Sequence, residues 1–355
     1  MMSHSAWVRG IAVAAFSLCL GVVVLGAYVR PSDAGLGCPD WPGCYGHLTP
    51  AGAAADERTL SAPMAGRPLE IGKAWREMLH RYAAGTLGAL IVCLTALGLA
   101  WRRERIVPAW FVIALLAIVL LQGTLGMLTV TRLLKPLFVS LHLLFGFTTL
   151  SLLWWLVLTL RPAHRGVASD ARTIAGAVPA RAIAAARRLA LVGLVAISLQ
   201  IALGGWTSSN YAAMACPDVP TCQGRWWPQA DFRSAFMLWQ GARANPQLNY
   251  DGGVLDNPAR VAIQLSHRLG ALVTSLALLA TAIAGLRLRR GASAPAVGLL
   301  LLLTLQLCIG ISMVLYGFPL WLATAHNAGA ALLLLATLAL NRSLWPRSVP
   351  VTFTG

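Results

Sequence analysis

The sequence predicts an all-α integral membrane protein, with eight transmembrane helices as two repeated four-helix bundles and two long extracytoplasmic loops. Three observations carry that expectation. Hydrophobic residues make up 57% of the 355-residue chain and charged ones only 11%, giving a mean hydropathy of +0.69, which is the profile of a membrane protein rather than of a soluble core. Eight stretches approach the length of about 20 apolar residues that a bilayer span needs. The second half of the chain also repeats the first, motif by motif. No barrel-type alternation competes, so the spans are helices.

The spans fall at roughly 11–29, 75–100, 107–130, 137–160, 189–208, 261–286, 295–315 and 320–341. The first is too long for a signal h-region and ends in GAYVRP without an A-x-A-like site, so it is expected to be retained. A loop over 30–74 follows, with GLGCPDWPGCYG. The second span opens on WREMLHR, which puts Glu77 and His80 on one helical face with Arg81 beside them. The third carries QGTLGMLTV and the fourth carries His142. After an Arg- and Ala-rich segment, the fifth span leads to a loop over 209–260 containing AMACPDVPTCQG. The sixth reads IQLSHRLGALVTSLAL, the seventh QLCIGISMV, and the eighth holds His326.

The repeat lies in the spacings. Cys38 and Cys44 are six apart, as are Cys216 and Cys222; Gly26 lies twelve before Cys38 and Gly204 twelve before Cys216. Gln122 precedes His142 by twenty residues, as Gln306 precedes His326. The expected division is 1–160 and 188–341, joined by a cytoplasmic linker 161–187 and followed by a cytoplasmic tail 342–355. Four spans per half give both halves one orientation, related by an axis along the membrane normal.

The net charge of +16 is not a nucleic-acid signal. With the N-terminus inside, the inner segments hold 15 basic residues (Arg9, Arg102, Arg103, Arg105, Arg161, Arg165, Arg172, Arg181, Arg187, Arg188, Arg287, Arg289, Arg290, Arg342 and Arg347) against Glu104 and Asp170. The outer segments hold 13 against ten acids. That is a positive-inside distribution, with both termini cytoplasmic, and no basic, aromatic-interleaved patch marks a nucleic-acid surface.

His80, His142, His267 and His326 each lie five or six residues below the expected outer start of their helix, roughly 8–9 Å deep at the helical rise. One intramembrane histidine is as easily a packing residue as a ligand. Four at matched depth on a repeat point to metal binding by neutral imidazole. A zinc site wants three or four clustered ligands, whereas two histidines on facing helices of a bundle suit a haem clamped from both sides. Gly85, Gly88, Gly123, Gly126, Gly146 and Gly329 then make room for a porphyrin edge, or serve ordinary close helix packing. Arg81 and Arg268 are candidates for propionate pairing, or snorkelling residues. The halves differ three residues before the first histidine, Glu77 against Gln264. A carboxyl can exchange a proton and an amide cannot, so the N-terminal half is expected to do chemistry and the C-terminal half to hold a haem for electron transfer. The cysteine pairs face the oxidising side, as a staple or a redox-active couple. Cys19, Cys93 and Cys308 read as buried small residues, and His4, His47 and His164 carry no site signal.

Taken together, Glu-x-x-His-Arg on the second helix, histidines on the fourth, sixth and eighth, and paired cysteines in the loops resemble the haem A synthases, in their bacterial, cysteine-bearing form, over about 10–341. The resemblance implies an oxidoreductase of the bacterial plasma membrane that converts a ring methyl of haem O to the formyl of haem A. It implies His80 and His142 as ligands of the substrate haem, His267 and His326 as ligands of a haem b iron, Glu77 as the catalytic carboxylate, and a Cys38–Cys44 disulfide able to take part in redox. Haem O synthase and terminal-oxidase assembly factors are the candidate protein partners, in a setting of membrane lipid. Two other classes fit less well: a di-haem cytochrome b relaying electrons to or from quinone, which has no need of one carboxylate in one half, and a proton-coupled transporter, which would need more charge along its spans.

Overall fold

The computed structural model describes residues 3–56, 59, 66–160, 179–239, 248–288 and 292–345. Arg161, Arg165, His164, Asp170, Arg172, Arg289, Arg290 and Arg347, with most of the linker and tail, lie outside the described residues. Eight helices are long and apolar enough to cross a membrane: α1 (His4–Val29), α2 (Ile71–Ala100), α3 (Ala109–Thr131), α4 (Pro136–Thr159), α5 (Ala180–Ser209), α6 (Asn257–Leu288), α7 (Ser293–Leu315) and α8 (Leu320–Leu344). Among the described residues the only β pairing is two isolated bridges, Cys44 with His47 and Cys222 with Arg225. The expected all-helical class with eight spans is the one observed.

Local sequence sets the helix ends. Ser3 caps α1 by accepting the Ala6 amide. Proline stands at the first turn of α4, and Pro108, Pro179 and Pro319 immediately precede α3, α5 and α8, positions where a missing N–H costs nothing. The links between α3 and α4 and between α7 and α8 are four residues long, so those helices are antiparallel neighbours. Both turns need left-handed backbone, at Leu133 (φ 49) and Leu134 (φ 61) in the first and at Gly317 (φ 70) and Phe318 (φ 59) in the second.

Helices α1 and α2, α2 and α3, α3 and α4, and α4 and α1 pack as neighbours, closing a first four-helix ring. The ring α5, α6, α7, α8 closes the same way, and the rings meet where α8 touches α1 and α4, and α5 touches α4. Across that junction the Trp154 indole donates to the Leu335 carbonyl at 3.0 Å, and Arg30 donates to the Tyr211 hydroxyl at 2.6 Å while its guanidinium lies over the ring at 4.1 Å. The fully buried aliphatics Ile91, Leu94, Leu150, Leu153, Leu278 and Leu340 form the packed core. They lie further along their helices than the histidines do, so the core fills the end of the bundle opposite the cysteine loops and the loop end is left for the site.

Four helices begin well before their hydrophobic runs, α1 among them at His4. α2 and α6 start at Ile71 and Asn257, and α5 starts at Ala180, so residues 180–187 of the expected linker are helical. Hydropathy marks where a helix enters lipid, whereas backbone hydrogen bonding carries it through a polar first turn. His80 and His267 therefore lie nine and ten residues past their helix starts, against six for His142 and His326, and the equal offsets expected from the sequence do not hold.

Candidate functional site

The four histidines meet in pairs. The ring centres of His80 and His142 are 6.5 Å apart with their planes at 79°, and those of His267 and His326 are 6.5 Å apart at 71°. Both pairs line one cavity of about 1860 Å³ at the loop end. Its lining is mostly aliphatic side chains and glycine, with Glu77, Gln264, Arg81 and Arg268 at its polar points.

Each ring rests on a glycine of the preceding helix. A Cβ added at Gly26 would stand 2.8 Å from His80 Cε1, at Gly126 3.2 Å from His142 Cε1, at Gly204 3.2 Å from His267 Cε1, and at Gly310 3.0 Å from His326 Cε1. Gly26 and Gly204, which mark the repeat in sequence, are thus the floors under two of the rings. Four residues before three of these floors stand glutamines whose amides donate to the backbone carbonyl of the matching histidine: Gln122 to His142 at 2.8 Å, Gln200 to His267 at 3.0 Å and Gln306 to His326 at 3.0 Å. The expectation that Gly329 clears space for a porphyrin is corrected, because a Cβ there would collide with Gln306 Oε1; Gly146 lies against Gln122 Nε2 and also lines the cavity. Gly85, Gly88 and Gly123 do border the cavity, and a Cβ on any of them meets nothing within 4 Å.

The donor set fits a haem iron. Two imidazoles sharing one metal through bonds of about 2 Å place their ring centres about 6 Å apart, close to the separation in both pairs. Nδ1 of His80 and of His142 is buried without a side-chain hydrogen bond. Among the described residues no three His, Cys, Asp or Glu side chains gather as a bare-ion site requires.

Glu77 is 4% exposed, and both of its oxygens are engaged. Oε1 pairs with Arg81 at 2.6 Å, and Oε2 accepts the backbone N–H of Cys38 at 2.9 Å. Gln264, the counterpart, is 5% exposed, and its Oε1 finds no hydrogen bond among the described residues. Cys38–Cys44 and Cys216–Cys222 are disulfides. Each loop winds around an aspartate: Asp40 accepts the amides of Tyr45 (2.6 Å) and Gly46 (2.9 Å), and Asp218 accepts those of Gln223 (2.6 Å) and Gly224 (3.1 Å) with the Thr221 hydroxyl. That hydroxyl and the two amides hold the Asp218 carboxyl below its usual range.

The arginines expected at propionates hold these loops. Arg81 donates to the carbonyls of Asp40 (2.9 Å) and Gly43 (2.5 Å), and Arg268 to those of Thr221 (2.7 Å) and Cys216 (2.9 Å). Of the other cysteines, Cys19 is buried as expected, but Cys93 and Cys308 face outward from the bundle. His4 stacks on Trp101 and bonds Glu104 at 2.5 Å, and His47 bonds Asp56 at 3.2 Å.

A family model described as COX15-CtaA, cytochrome oxidase assembly protein, matches residues 9–338. The chain belongs to this family. Among proteins similar to this COX15-CtaA member is the haem A synthase of Shewanella oneidensis, 44% identical over 92% of this chain and 93% of that protein. The haem A synthases of Rhizorhabdus wittichii (29% identical; 94% of this chain, 91% of that protein) and Rhodopseudomonas palustris (30%; 96% and 91%) match over nearly their whole lengths. For a COX15-CtaA member read from sequence, the glutamines were the residues missed as site components. Gln122 and Gln306 stand out only as repeat markers, and Gln200 carries no signal until its place four residues before Gly204 is seen.

Proposed function

We propose that this chain is a haem A synthase, oxidising a ring methyl of haem O to a formyl group, with the substrate held by His80 and His142 and a haem b held by His267 and His326. The observation that carries the reading is the pair of buried imidazole couples at one shared separation on a single apolar cavity. Residues 1–160 form the substrate lobe and 188–341 the haem b lobe, joined by 161–187 and followed by the tail 342–355. Both termini are assigned to the cytoplasm, and the membrane to the bacterial plasma membrane, on the distribution of arginine.

The seam between α2 and α3 supports giving the substrate to the N-terminal lobe. Gly85, Gly88 and Gly123 leave it bare, while the residues at the same distances from His267 and His326 are Leu272, Ser275 and Leu307. A bare wall opening to lipid suits a substrate with a long isoprenoid tail that must enter and leave. Converting methyl to formyl takes two successive two-electron oxidations and the gain of one oxygen atom, and a bound haem b would supply the exit for electrons. His80 and His142 orient the substrate, and the aliphatic lining excludes water. Arg81 and the Cys38 amide fix the Glu77 carboxylate at the cavity wall, where it accepts the proton released as the methyl and then the hydroxymethyl carbon is oxidised. Arg81 and Arg268 line the cavity as they hold their loops, and each is a candidate partner for a porphyrin carboxylate.

Pigment analysis of the purified protein tests this. H80A and H142A should lose the substrate pigment and keep haem b, and H267A and H326A the reverse. Loss that ignores the lobes, or haem b as the sole pigment at both sites in the unmodified protein, would overturn it in favour of an electron relay.

A further inference from the structure

Resting on that reading, two axial imidazoles settle where a porphyrin's iron lies but leave the ring free to turn about the axis through it. Only one of several ring methyls is to be oxidised, so a contact at the rim must fix that rotation. The porphyrin carboxylates are the polar handles for such a contact, and a guanidinium is their natural partner.

Among the described residues three cations border the cavity: Arg30, Arg81 and Arg268. Arg81 pairs with Glu77 and holds loop carbonyls, and Arg268 holds two more at 2.7 and 2.9 Å. Arg30 is less fully engaged. Its Nη1 donates to the Tyr211 hydroxyl at 2.6 Å, but Nη2 reaches only the carbonyls of Ser208 and Ser209 at 3.4 and 3.5 Å, which is long for a hydrogen bond. Nε is shielded from solvent and has no hydrogen-bond partner. The least satisfied part of Arg30 is therefore its Nε–Nη2 edge, the side that can meet both oxygens of one carboxylate.

No carboxylate pairs with Arg30 among the described residues. Asp251 is reached only through the Tyr211 hydroxyl, which donates to it at 2.6 Å. A guanidinium on a mostly aliphatic wall without a bonded anion is costly, and an arriving carboxylate offsets that cost.

Its position names the lobe. Arg30 lies four residues beyond Gly26, the floor under His80, which is about 6 Å along the helix toward the loops. The residue four beyond Gly204 is Ser208, so the repeat offers no matching cation to the C-terminal pair. Arg81 and Arg268 recur in both lobes, whereas Arg30 belongs to one.

We infer that Arg30 binds one carboxylate of the porphyrin held by His80 and His142, and so sets which ring methyl is presented to Glu77. Axial ligands common to both lobes fix the iron, and a cation found in one lobe fixes the rim.

The test titrates the full-length detergent-solubilised protein with ferric protohaem and with its dimethyl ester, read at the Soret band. R30M should weaken the equivalent that H80A loses by about tenfold, the scale of a hydrogen bond to a charged group, and spare the one that H267A loses. The diester should already bind that site more weakly, and R30M should weaken it no further. With the C-terminal site emptied by H267A, bound ferric protohaem should give one set of paramagnetically shifted ring-methyl resonances. R30M should add further sets. Y211F, which loosens the lobe junction but keeps the guanidinium, should retain the single set, so the two roles of Arg30 are separated. R30K keeps the charge without the two-nitrogen edge, and it should also add sets, which decides the matter where R30M fails to fold. A single set in these Arg30 variants overturns the inference, as does equal weakening of haem and diester, or weakening of the equivalent that H267A loses. Uptake of fewer than two equivalents by the unmodified protein instead overturns the two-haem reading on which the inference rests.

Discussion

Replacing Gly26 by alanine is the sharpest test of the site geometry. The added methyl carbon would stand 2.8 Å from His80 Cε1, whereas ordinary contact begins at 3.4 Å, so ring and helix must part by about 0.6 Å. The methyl is fixed to the α1 backbone, which leaves the imidazole to move. Against a metal–nitrogen bond of about 2 Å, a displacement of that size removes most of the bond. Overpacking of this kind costs about 1–3 kcal/mol, which corresponds to roughly five- to 150-fold weaker binding. Titration of the purified variant with ferric protohaem, read at the Soret band, should show one equivalent weakened by that factor and the other unchanged. G310A, whose methyl would lie 3.0 Å from His326 Cε1, should weaken the other equivalent, and G298A, with open space around its Cβ and no place on the cavity wall, should weaken neither. Wild-type uptake of both equivalents by G26A and G310A would refute the geometry.

Further outcomes follow from the same contacts. Glu77→Gln should bind haem normally and lose turnover by about 100-fold or more, the scale of a general base; full turnover would remove Glu77 from the chemistry. Arg268→Lys leaves a single nitrogen where two guanidinium nitrogens now hold separate carbonyls, so reduction of Cys216–Cys222 by a water-soluble phosphine should speed up several-fold, measured by thiol labelling. Because hydrogen bonds lower the folded-state pKa of Asp218 below its ordinary 3.8, its hold on the loop is complete above that value and is lost as pH falls through the lowered one. Hydrogen exchange at Gln223 and Gly224, corrected for intrinsic rate, should therefore rise on acidification, and D218N should abolish that pH dependence.

Much of this was legible in the chain. Eight apolar runs give eight helices because lipid admits few alternatives. The histidines and cysteine pairs stand out because equal spacings within a repeat are hard to reach by chance. What stayed hidden depends on which neighbour a residue faces. Gly329 looks like room for a ligand and is room for a glutamine. Arg81 and Arg268 look like anion sites and hold peptide carbonyls, since a guanidinium beside a loop finds whichever oxygens are nearest. Cys93 and Cys308 were expected inside, yet the lipid-facing side of a helix is as apolar as its core-facing side, so hydropathy cannot separate them. The glutamines escaped notice because a polar residue within a span announces a partner without naming it.

The peptide nitrogen that grips Glu77 belongs to Cys38, one end of a sulfur bridge. Opening that bridge would slacken the loop from which the acid hangs, while the side-chain hold of Arg81 stays in place. Among the described residues, the oxygen of the glutamine that replaces Glu77 in the other lobe has no such attachment to its own bridge. Thiol balance at the membrane face would thus be felt by one lobe's acid and pass unnoticed by the other.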